Sequence, residues 1–141
     1  MTHTTSAGDL AFRSDFEAGR VAPEQFDHRA HVRLAYIYLT EWSPDVATTL
    51  MRAALHAFLE RNGVPPTKYH ETLTHSWILA VRHFMERSPA TGSADAFIAA
   101  HPELLDSKIM LTHYSAQVLF SADARQRFVE PDLSAIPRHD T

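Results

Sequence analysis

Cysteine is missing from this chain, which removes disulfide frameworks, thiolate metal sites and cysteine nucleophiles together. Glycine is scarce, with four residues among 141 and none clustered, so no phosphate-cradling loop is available. No GxSxG nucleophile elbow occurs, and no serine is tied to a histidine and a carboxylate by spacing. No apolar run approaches the ~20 residues that span a bilayer. Lysine and arginine are interspersed with acidic residues, and net charge is −4 with histidines neutral. Nucleic acid and anionic membranes are therefore excluded as expected partners. Residues 1–9 lack the basic and apolar regions of a signal peptide, so a cytoplasmic location is expected.

What the chain does have is a 45% apolar fraction, enough length for one domain with a proper core, and ten histidines. There are no repeats, no low-complexity tract and no alternating strand pattern. Helical periodicity predicts an all-α, single-domain bundle of four to five main helices. Residues 1–8 read as a disordered tail, 9–130 as the helical domain, and 131–141 as an extended, proline-punctuated C-terminal tail.

A weak amphipathic helix is expected over 9–19, ended by Gly19. Asp27 is a good cap for a helix running to about Trp42, with Phe26 as its staple. Stepping ~100° per residue places Leu34, Tyr38, His31, Trp42, Ala35 and His28 within an arc of ~120°, and Arg29, Arg33 and Thr40 opposite. Ser43-Pro44-Asp45 starts the next helix, and Asn62-Gly63 stops it. There His56, Arg52 and Thr49 fall on the solvent side. Thr67 is the expected cap of a helix over 67–86 centred on Trp77. On that wheel His70 lies ~20° and Thr74 ~60° from the middle of the apolar stripe, whereas Glu71, His75 and His83 turn towards water. A short helix over 94–100 and a longer one over 107–119 follow, the latter with apolar residues nearly all round.

Three histidines thus face inwards on two helices. Neutral imidazole is a common ligand for zinc, iron, copper and nickel. Two ligands one turn apart on a helix, with a third from a facing helix, leave an open coordination position, the usual catalytic arrangement. A water there would be acidified towards neutrality, and iron or copper would bind dioxygen or substrate. His28, His31 and His70 are therefore expected to hold one divalent transition metal ion, with His113 as a candidate fourth ligand. Glu71, Tyr69, Thr74 and Tyr114 are the candidate catalytic residues, and Lys68 and Arg125 the candidate contacts to an anionic small-molecule substrate. The structural alternative is a core histidine satisfied by a hydroxyl or carbonyl.

The stretches Phe26-Asp27-His28-Arg29-Ala30-His31 with Leu34-Ala35, Lys68-Tyr69-His70-Glu71-Thr72-Leu73-Thr74, Tyr114-Ser115, and Ala124-Arg125 followed by Pro131-Asp132-Leu133 carry a further signal. Together they resemble a group of small bacterial all-helical proteins with an FxHxxHxxLA stretch and a KYHETxT stretch, over roughly residues 20–135. That resemblance implies an all-helical fold and points to the same three histidines, without a reaction attached. The expectation is a small metal-dependent enzyme acting on a small molecule, or else a metal- or ligand-binding sensor, carrier or partner subunit. Hydrolytic, lyase and oxygen-dependent chemistry are left open, as is a homo-oligomer.

Overall fold

Short polar side chains set where the helices begin. In the structure, a computed structural model describing residues 2–139, the Ser6 hydroxyl accepts from the Asp9 amide and the Asp9 carboxylate accepts from the Ser6 amide. This reciprocal cap starts α1 (Ala7–Glu17). Asp27 caps α2 (His28–Leu39) by accepting from the Ala30 amide at 2.9 Å. Ser43 caps α3 (Pro44–Arg61), with Pro44 in the first turn, where its missing N–H costs nothing. After Asn62, Gly63 turns the chain at a φ of 65°, in the left-handed region that favours glycine. α4 (Glu71–Arg87) follows, and Ser93 caps α5 (Ala94–Ala100). Two short helices, α6 (Ala116–Leu119) and α7 (Ala122–Gln126), complete the all-α architecture, and the described residues contain no strand.

The central element is α2. Leu34, Ala35, Tyr36, Ile37, Tyr38 and Leu39 are all buried, so its second half has no solvent face. This departs from the expected amphipathic stripe, and the reason is that α1, α3, α4 and α5 enclose α2 on several sides. Arg33, expected to face water, instead pairs at 3.0 Å with Asp9, whose side chain is 1% exposed. Asp9 also accepts from the Ala94 amide, tying α1, α2 and the start of α5 to one carboxylate. Burial pushes the Asp9 carboxyl up, but the Ala94 and Ser6 amides and Arg33 outweigh it and hold it below the ordinary value. Phe16 stacks on Phe26 at 4.4 Å and on Phe58 at 5.0 Å, closing the core between α1, the α2 entry and α3.

Three other expectations are corrected. Residues 2–6, anticipated as a disordered tail, run extended along the 85–91 segment. Thr4 donates to the Thr91 carbonyl, His3 Nε2 donates to the Met85 carbonyl, and the Tyr36 hydroxyl donates to the Thr4 carbonyl. The helix anticipated from 67 begins at Glu71, because Pro66–Lys68 forms a 3-10 turn and His70 itself takes the cap position. The helix anticipated over 107–119 is a 3-10 segment, Ser107–Thr112, followed by α6. Ser115 restarts the chain there: its hydroxyl caps the Val118 amide, and its own amide donates to Asp132. Over residues 131–139 the C-terminal segment forms no helix. It is also anchored: Leu133 donates to the His113 carbonyl, and Ile136 is buried.

Candidate functional site

His28 and His31 project from the first turns of α2, one helical turn apart, with ring centroids 6.5 Å apart. His70 reaches the same space as the cap of α4. All three line one cavity of about 480 Å³, enclosed by α2, α3, α4 and the 107–120 segment. Its wall is mostly hydrocarbon and aromatic, from Phe26, Leu55, Phe58, Leu73, Trp77 and Leu119, and Lys68, Tyr69 and Thr74 also belong to it.

The three imidazoles differ in what they have left to offer. His70 Nδ1 accepts from the Leu73 amide at 3.1 Å, so its proton sits on Nε2, which donates to the Leu119 carbonyl at 2.6 Å. Both nitrogens are committed. Burial lowers its pKa, against the Leu119 carbonyl, which favours the protonated ring. His28 Nε2 donates to the Leu104 carbonyl at 2.9 Å, and its ring stands edge-on to Trp77 at 4.6 Å. His31 is the exception, since its Nε2 is enclosed and has no hydrogen-bond partner among the described residues. Burial, reinforced by the neighbouring His28, lowers its pKa to about 4, so the ring is neutral at pH 7.

Among the described residues, no group of three or more His, Cys, Asp or Glu is disposed to hold a metal ion. For His70 the reason is explicit. Freeing either nitrogen would strand the Leu119 carbonyl or an N-terminal amide of α4. His113, the candidate fourth ligand, bonds through Nδ1 to the Ser134 carbonyl and does not line the cavity.

The remaining candidates divide between two places. Thr74 lines the cavity, but its hydroxyl donates to the His70 carbonyl at 2.9 Å, so it holds the cap in place. Tyr69 separates the cavity from a neighbouring cleft of about 690 Å³. Glu71 and Arg125 line that second cleft and not the histidine cavity. Glu71, expected on a polar face, is buried and clamped by Arg52 at 2.8 and 2.6 Å, with the Tyr69 hydroxyl donating at 2.7 Å. Burial pushes the Glu71 carboxyl up, yet Arg52 and Tyr69 outweigh it and hold it below the ordinary value. An ionised, fully engaged carboxylate is a structural strut and not a proton donor at neutral pH. Burial and Glu71 raise the Tyr69 pKa, so its phenol stays protonated. Tyr114 is fully buried, donates to the Val129 carbonyl at 2.5 Å, receives from Ser76 and does not line the cavity.

Sequence reasoning missed Arg52, Trp77 and Lys108 as parts of these sites. Arg52 reads as solvent-facing on its own helix, and its partner lies on another helix, so no local spacing marks the pair. The chain matches no protein-family model, no curated protein and no solved structure.

Proposed function

We propose that the protein binds a small molecule in the histidine-lined cavity, with His31 as the polar group that orients it. One observation carries this reading: among the described residues, His31 is the cavity histidine whose enclosed nitrogen has no partner. A buried unpaired polar atom costs on the order of 1–3 kcal/mol, and a ligand recovers that cost when the imidazole turns to bring this nitrogen to the cavity. The cavity's size falls in the range that encloses small ligands, and a mainly apolar wall with few polar groups suits them. With a pKa of about 4, His31 is a weak base at neutral pH, which favours binding and orientation over proton abstraction.

A fragment library screened by ligand-observed NMR tests this. Hits are expected to lose binding in Leu73→Trp, which fills the cavity, and to keep it in Leu133→Trp, on the exposed C-terminal segment. Hits indifferent to Leu73→Trp would overturn the reading. Metal analysis of untagged protein separates it from the metal-dependent enzyme. About one equivalent of a transition metal, lost in His31→Ala, would return the histidines to metal chemistry.

A further inference from the structure

The chain contains only two lysines, Lys68 and Lys108, its other basic side chains being arginines. Both lysines line the histidine cavity. They come from different segments, Lys68 from the turn before α4 and Lys108 from the 3-10 segment Ser107–Thr112. Both are exposed, placing their charges at the opening. Neither takes part in any ion pair seen among the described residues, whereas most arginines do. The chain carries 17 acidic residues and a net charge of −4, yet among the described residues no aspartate or glutamate lines this cavity.

We infer that the ligand is an amphiphilic anion: a mainly apolar body held among Phe26, Leu55, Phe58, Leu73 and Trp77, carrying one polar atom for His31, with a carboxylate-like head at the opening between Lys68 and Lys108. This rests on the small-molecule reading above and adds the ligand's charge. Lysine suits such a role because a compact ammonium on a flexible stem can follow a head group at a solvated rim. A cationic ligand would meet two like charges and no compensating carboxylate. A neutral apolar ligand would make no use of either lysine.

The probes are decanoate, 1-decanol and decyltrimethylammonium, which share one chain and differ in head charge. Each is titrated below its aggregation threshold into wild-type protein, Lys68→Ala/Lys108→Ala and Leu73→Trp, by calorimetry at low salt. Decanoate is expected to bind wild type roughly tenfold tighter than decanol, as two partly solvated charge contacts allow, with the ammonium weakest. In the double lysine variant decanoate should fall to the level of decanol measured in the same variant. Because both side chains are exposed, that variant should keep its fold, which a thermal melt checks. Decanol equal to decanoate, or a decanoate preference that survives the double variant, overturns the anion inference and leaves the cavity reading standing. Binding of all three probes that is indifferent to Leu73→Trp overturns both, and no binding by any of them overturns the anion inference.

Discussion

His31 shows how much one side chain's surroundings decide. Its neighbours on α2 are capped, packed or ion-paired, while its own Nε2 is enclosed with nothing to bond. Its lowered pKa has a consequence for stability. As pH falls below about 6.5, the unfolded chain's histidine takes up a proton that the folded one refuses until about pH 4. Folding free energy should therefore drop across that window, by up to roughly 3 kcal/mol for this residue, and flatten below it. His70 and His75, also lowered by burial, act in the same direction. Urea midpoints between pH 4 and 7 should show the slope in wild type and a shallower one in His31→Leu; equal slopes would contradict the assignment. Asp9 and Glu71 act at lower pH. Their stabilisation is complete above the ordinary carboxylate range and is lost as pH falls through their depressed values. At neutral pH, Arg52→Ala should cost about 2–3 kcal/mol by chemical denaturation, because it strands a buried carboxylate. The exposure of Arg52 keeps the figure below that of a fully buried pair. A cost under about 0.5 kcal/mol would mean that water replaces the guanidinium.

At the scale of elements, legibility follows the range of the forces involved. The starts of α2, α3 and α5 could be read from Asp27, Ser43 and Ser93, because a cap bonds amides two or three residues on. The start of α4 could not, because histidine is an uncommon cap and its second bond goes to Leu119, far along the chain. The inward position of His70 was legible from the wheel, but its use was not: the wheel placed it inside a helix from 67, whereas it stands just before the observed start of α4 as its cap. Likewise, Ile109, Met110, Leu111 and Tyr114 have no single helical face, and the chain resolves this with a 3-10 turn and a restart at Ser115. The double role of His70 is testable. His70→Ala removes the α4 cap and strands the Leu119 carbonyl, and should destabilise by about 2–3 kcal/mol. His70→Asn, which keeps a capping acceptor, should recover part of that loss. Equal costs for the two variants would show that the cap contributes little.

For the whole molecule, the all-α single domain was legible because periodicity and composition are summed over many residues. The cavity was only partly so. The wheels brought the three histidines inwards, but the shared space also needs α3 and the 107–120 segment, whose placement depends on tertiary packing. The docking of residues 2–6 was invisible for the same reason: His3, Thr4, Tyr36 and Thr91 meet only once the bundle has formed. The central claim is that this cavity is a binding site and that His31 is its polar anchor. Imidazole ¹⁵N NMR across a pH titration, without ligand and with a saturating fragment hit, tests it most directly. A free His31 should titrate near pH 4, with an Nε2 resonance that moves on ligand addition while those of His113 and His139 stay still. A His31 that titrates near 6.5, or one whose resonances ignore every ligand the protein binds, would contradict it.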